Sequence, residues 1–158
     1  MLISPEVLIL FGTEEYYSGI PILPFIVMAY YFQYLYTWPV NYEFYNKKTK
    51  WITAATLLTA ALNILLNLFL IPSYGIGGAA FASLISFALL MIMHDFCARR
   101  IGNDYIFSWS WYLKGIIPMI VSMAATIFLL DMALPRWSLA ITIGIFFCFR
   151  VFKSRSVL

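Results

Sequence analysis

Hydrophobic positions in this chain gather into five long runs, at about residues 18–38, 51–71, 76–93, 113–133 and 137–152. A helix needs about 20 mostly apolar residues to cross the hydrocarbon of a bilayer. Each run reaches or approaches that length, and the last, which is short, leans on interfacial anchors. Helix punctuation separates them: Pro39, Pro72 with Gly75, Gly102 and Pro135. Pro21 and Pro24 fall near the start of the first run and Pro118 inside the fourth, where a proline bends a helix. The pattern predicts an all-α integral membrane protein with a five-span domain over 18–152. Residues 1–17 precede it as the end of an earlier helix and an outer loop, and 153–158 follow as a tail. The opening "MLISPEVLILFGTEEYY" is not a signal peptide, because it lacks a basic n-region and a small-residue cleavage site and is interrupted by Glu6. It reads as the last turns of a helix whose earlier part is missing, so the chain is expected to be the carboxyl-terminal piece of a longer protein.

Composition turns that pattern into a choice of solvent. Of 158 residues, 63% are hydrophobic and 11% charged, against roughly 45–50% and 25% in soluble domains. So few charges cannot cover a water-facing surface, whereas lipid needs none. A net charge of +3, with the basic residues in loops rather than on one stripe, excludes a nucleic-acid partner. Cys97 and Cys148 have no paired spacing and carry no disulfide or metal signal.

The basic residues also orient the spans. Lys47, Lys48 and Lys50 follow the first, Arg99, Arg100 and Lys114 lie between the third and fourth, and Arg150, Lys153 and Arg155 follow the fifth. Nine of the ten thus fall on alternate loops, with only Arg136 opposite. The positive-inside rule then puts the amino terminus outside and the carboxyl terminus in the cytoplasm. Tyr16, Tyr17, Tyr74 and Trp137 mark the outer interface, and Trp38, Trp51, Trp109 and Trp111 the inner one.

Two motifs stand out within the runs. Gly78, Ala82 and Ser86 recur every four residues on the third, just after the "PSYG" turn of Pro72 and Gly75. Without a hydrophobic drive between helices in lipid, such small stripes let backbones approach. A phosphate loop is excluded by the lack of a following Lys-Ser/Thr and of a preceding strand. On the second run, Thr56, Thr59, Asn63 and Asn67 share one helical face. That face either hydrogen-bonds a neighbouring helix or lines a path for a polar solute, and Gln33 on the first run poses the same choice. Lys114 can snorkel to the inner interface. Asp131 is expected near the outer end of the fourth span with Arg136 to neutralise it. His94-Asp95 reads as a boundary pair at the inner end of the third, with proton sensing as its sharper alternative. There is no acid pair, histidine cluster or nucleophile with a base, so the sequence offers no catalytic residue, metal site or cofactor.

The run "LNILLNLFLIPSYGIGGAAFASLIS", from Leu62 to Ser86, resembles the second-lobe signature of polysaccharide flippases in the multidrug/oligosaccharidyl-lipid/polysaccharide exporter superfamily. "SPEVLILFGTEEYYSGIPIL" and "NKKTK" are similar to the family's segments at corresponding places, and the resemblance covers about residues 1–100. It implies the second half of a twelve-helix, two-lobe transporter in the bacterial cytoplasmic (inner) membrane. Such a transporter turns a lipid-linked oligosaccharide across the bilayer by alternating access, in polysaccharide biosynthesis. The implied partners are the lipid bilayer, that substrate and the missing amino-terminal lobe. Gln33, Thr59, Asn63 and Asn67 would be the substrate-path candidates, and Pro24 and Pro118 would permit bending. Rival readings are a cation-coupled drug exporter of the same superfamily and a non-transporting membrane anchor or assembly subunit. A glycan polymerase would need a large outer loop, and the outer loops here are only a few residues.

Overall fold

The computed structural model describes residues 1–102, 105 and 107–155, the side chains of 147 and 150–155 excepted. Residues 156–158 of the expected tail, and the side chains of Arg150, Lys153 and Arg155, lie outside that set. Its helices are α1 (Ser4–Phe11), a 3-10 segment (Glu14–Ile22), α2 (Leu23–Leu35), α3 (Thr37–Tyr45), α4 (Thr49–Ile101), α5 (Trp109–Phe128) and α6 (Ala133–Arg155). Among the described residues there is no strand. Three stretches are long and apolar enough to cross a membrane, Glu14–Tyr45, Thr49–Ile101 and Trp109–Phe128, while Ala133–Phe146 is a shorter apolar helix.

Pro39 does not act as a stop, whereas Pro135 opens a helix just ahead of the fifth run. Pro39 falls in the first turn of α3 and Pro135 in that of α6, where the missing N–H has no helical partner to lose. Helix therefore continues past Pro39 to Tyr45. Pro72 also lies inside a helix, and the break comes three residues later at Gly75, with φ 56° and ψ −136°. That mirror image of extended backbone is open essentially to glycine alone.

The chain divides into two compact units, Phe25–Ile120 and the combination of Met1–Pro24 with Val121–Leu158. In the larger unit α4 is a hairpin, not a rod. Asn63 of its first limb (residues 49–74) bonds Ser86 of its second (76–101), and Thr59 meets Met93. Nearer the turn, a Cβ on Gly78 would collide with the carbonyl of Leu70, so glycine is what lets the limbs touch there. Each limb is about 39 Å long at 1.5 Å per residue, enough to cross a bilayer by itself.

The rest of the unit alternates in direction around this hairpin. Ring pairs advance together along α2–α3 and the second limb: Phe25 with Phe81, Tyr30 with Phe87 and Tyr36 with His94. Those elements are therefore parallel. The start of α5 runs the other way, Leu35 and Tyr31 sharing an apolar core with Tyr112 and Ile116. Trp38 packs on Trp111 at a ring separation of 5.9 Å.

The first limb is amphipathic in reverse. Thr59 is buried, whereas Leu57, Leu58, Ile64, Leu65, Leu68 and Phe69 are all more than half exposed. A water-soluble helix hides the second set and shows the first.

In the smaller unit, the buried Arg136 at the start of α6 pairs with Glu6 of α1 through Nη2 and donates from Nη1 to the Leu2 carbonyl at 3.2 Å. Asp131, its expected partner, is exposed. The acid that meets the arginine lies 130 residues away in sequence, a pairing that local spacing does not reveal.

Candidate functional site

Two polar regions form within the larger unit, one neutral and one charged. The neutral one is a groove of about 270 Å³ between the limbs of the hairpin, lined by Thr56, Thr59, Ala60, Asn63, Ser83, Ser86, Phe87 and Leu90. Three of the hydroxyls along it are spent locally. Thr59 donates to the Ala55 carbonyl at 2.9 Å, Ser83 to that of Ala79 at 3.0 Å, and Ser86 to that of Ala82 at 2.7 Å. A hydroxyl that donates to its own helix keeps its lone pairs for another donor. The Asn63 amide uses one of those, reaching Ser86 Oγ at 3.1 Å, and Asn67 in turn donates to Asn63 Oδ1 at 3.0 Å. Asn67 Oδ1 is buried without a hydrogen-bond partner. The result is a row of amides and hydroxyls with unused capacity on an apolar wall. It can accept a hydroxyl-rich ligand or hold two helices in register.

The charged region lies at the open end of the same hairpin. Glu43 of α3 and His94 of α4 are both fully buried, with His94 Nδ1 3.1 Å from each carboxylate oxygen. With the carboxylate ionised, Nδ1 carries the hydrogen and donates it. Nε2 is buried with no partner, and the Tyr36 ring packs 5.6 Å from the imidazole. The adjacent Asp95, also fully buried, takes Arg99 as a two-pronged partner, Nε at 2.7 Å and Nη2 at 3.1 Å. Arg99 Nη2 also donates to the Phe107 carbonyl at 2.7 Å. Tyr105 donates its hydroxyl hydrogen to Asp95 Oδ1 at 3.1 Å, so the Tyr112 hydroxyl, 2.6 Å away, donates to Tyr105. The network ties α3, the second limb, the following loop and the start of α5. Tyr105 lies in that loop, and burial, then the neighbouring Tyr112 and Asp95, push its phenol well above the ordinary value.

Of the path candidates, Thr59 and Asn63 line the groove and Asn67 is bonded to Asn63. Gln33 is half-buried on α2 and is not part of the groove lining. Gly78, Ala82 and Ser86 are buried, Ser86 directly against Asn63. Glu43 is the residue that sequence reasoning missed, because Pro39 appeared to end the first span and left the acid in a basic loop. Pro39, Val40 and Glu43 are all buried, a spacing of three to four residues that marks helix continuing beyond the proline. Among the described residues no group of three His, Cys, Asp or Glu side chains could hold a metal ion. Compared with known proteins, the chain matches no family model, no curated protein and no solved structure.

Proposed function

We propose that this chain is a membrane-embedded helical part of a two-lobe transporter that flips a lipid-linked oligosaccharide across the bacterial cytoplasmic membrane. In this reading five spans run from an outer amino terminus to a cytoplasmic tail. The observation that carries it is the reversed first limb of α4, with its leucines outward, Thr59 and Asn63 turned to the groove and Asn67 bonded to Asn63. A row of neutral amides and hydroxyls suits sugar hydroxyls, which donate and accept but carry no charge. An outward leucine face suits lipid. The "IPSYG" turn followed by "GGAA" adds the family resemblance, and the amino-terminal lobe is the implied partner.

The test is glycan export in cells lacking their own flippase, complemented by the intact gene, with protein level followed in parallel. Asn63→Ala with Asn67→Ala is expected to cut export at least about tenfold while membrane protein level stays within twofold, a tenfold loss being about 1.4 kcal/mol. Unchanged export at normal protein level would leave the groove with a packing role only. An open frame upstream of Met1 encoding about six further spans, the first lobe of a twelve-span pair, is expected as well.

The buried Glu43–His94 pair favours a second reading, the cation-coupled exporter of the same superfamily, since an ionisable pair inside a membrane segment is a natural carrier of a proton. Resistance to drugs, lost in Glu43→Gln at normal protein level, would select it.

A further inference from the structure

We propose that the open end of the α4 hairpin binds the phosphate group of an anionic membrane lipid, in a pocket lined by Lys48, Trp51, Cys97, Arg100 and Ile101. The inference rests on the membrane reading and is independent of the transported cargo. The hairpin itself builds the pocket. Folding back at Gly75 sets Asn63 beside Ser86, and the same register carried to the far end sets Lys48 and Trp51 beside Arg100 and Cys97. Lys48 caps the start of the first limb and Arg100 lies on the second, so the pair exists only while the hairpin is closed.

Among the described residues neither cation is neutralised. The acids within reach are committed elsewhere: Glu43 is fully buried against His94, and Asp95 is fully buried against Arg99. Among the described residues Lys48 and Arg100 have no carboxylate partner. Arg100 is instead held over the Phe96 ring, its guanidinium carbon 4.5 Å from the centroid. This restrains the side chain and leaves its N–H fork free. A planar fork matches a phosphate through two parallel hydrogen bonds, and an ammonium adds a point charge. Trp51, about half exposed, gives the pocket an indole wall of the kind that settles at the lipid headgroup level.

Size and place narrow the ligand. The pocket is about 120 Å³, less than half the 270 Å³ of the groove, a size for one phosphate rather than for a sugar. The opposite end of the hairpin, "PSYG", carries no charge, so an anion has a preference for one end only. Paired cations where a helical hairpin leaves the hydrocarbon are a recognised design for anionic headgroups. Two phosphate sources share this chemistry, a lipid headgroup and free phosphate, and position at the membrane surface favours the lipid.

The full chain, purified in detergent, is inserted into vesicles of phosphatidylcholine alone or with phosphatidylglycerol. The phosphatidylglycerol that stays with the protein on re-extraction is counted by mass spectrometry. Lys48→Gln with Arg100→Gln is expected to lower that retention about tenfold. Lys47→Gln with Lys50→Gln, the same change of net charge outside the pocket, should lower it less than twofold. The charge-preserving Lys48→Arg with Arg100→Lys should keep most of it, which guards against simple misfolding. Equal loss in both neutralised pairs, or loss in neither, overturns the pocket. Thermal stabilisation in neutral micelles by inorganic phosphate as strong as by short-chain phosphatidylglycerol overturns the lipid assignment. A chain that fails to enter phosphatidylcholine vesicles overturns the membrane reading and the pocket with it. One that enters but retains phosphatidylglycerol no better than the neutralised pair overturns the pocket alone.

Discussion

The neutral stripe halfway along the α4 hairpin and the charged cluster at its open end meet the same desolvation problem in opposite ways. In the stripe, the Thr59, Ser83 and Ser86 hydroxyls each satisfy their own helix first, and one amide, Asn63, crosses to the other limb. In the cluster the Asp95–Arg99 pair lies within α4, and the other bonds cross between elements: Glu43 to His94, Tyr105 to Asp95 and Tyr112, Arg99 to the Phe107 carbonyl. A neutral group left half-used in an apolar setting costs little more than a hydrogen bond, so the stripe can stay open to a groove. A charge left without its partner costs several kcal/mol, so the cluster has to be closed. Openness leaves the stripe room for a ligand, as the proposed function requires. Closure marks the cluster as the clamp that holds α3 and α5 to the hairpin.

The comparison breaks most sharply at Glu43. Removing it in Glu43→Ala leaves the fully buried His94 without its acid and should cost about 3–5 kcal/mol, read as a lower unfolding midpoint in detergent. Replacing both residues, Glu43→Leu with His94→Leu, should recover most of that loss, because a packed apolar pair replaces a desolvated carboxylate–imidazole pair. If the single and double variants were equally stable, or equally damaged, the clamp would not be electrostatic. The hairpin turn ranks next. Gly75→Ala forces a Cβ into φ 56°, ψ −136° and should cost about 1–3 kcal/mol. Cysteines at the Asn63 and Ser86 positions should then cross-link less readily than in the parent chain. Unchanged cross-linking would show the limbs held by the bundle and not by their turn.

Part of this architecture was legible in the residues themselves. Apolar runs mark where helices must be, and the small residues after Gly75 mark where one backbone approaches another. Both follow from local chemistry: a side chain is apolar or small wherever the chain goes. Partners were not legible in that way. Arg136 sits five residues from Asp131, yet it is buried against Glu6 at the other end of the sequence. His94 sits next to Asp95, yet neither bonds the other: one takes Glu43 and the other Arg99. A buried charge goes to whichever counter-charge the fold brings within 3–4 Å, which spacing along the chain does not encode. Glu43 was hidden for a different reason. Proline was read as a stop, while its cost depends on position, small in the first turn and large beyond it.

The neutral stripe should respond less in stability and more in function. Asn63→Ala removes the bond to Ser86 and the acceptor used by Asn67, and interhelical bonds of this kind are worth about 0.6–2 kcal/mol. The expected midpoint shift is thus well below that of Glu43→Ala, while under the proposed function export of the lipid-linked sugar should fall. A stability loss as large as that of Glu43→Ala would merge the two regions into one structural core.

Tyr105 sharpens the boundary of the cluster with the smallest effect. It is a neutral acid whose proton bonds Asp95, and its phenol is raised above the ordinary 10.0 first by burial and then by Tyr112 and Asp95. A folded-state pKa above the unfolded one means that the folded chain holds this proton more tightly. The associated stability is full below pH 10 and fades as pH climbs above it, as the unfolded phenol ionises first. Stability in micelles should therefore be insensitive to this residue from neutral pH to about 10 and fall beyond it. Tyr105→Phe should remove about 0.5–1.5 kcal/mol at neutral pH and flatten the alkaline fall. The Phe variant keeps the ring that packs on Tyr42 and Phe107, so only the hydroxyl is being tested. An alkaline fall of unchanged steepness in Tyr105→Phe would place the proton on another member of the chain of hydroxyls, and the cluster would end at Asp95 and Arg99 rather than at α5.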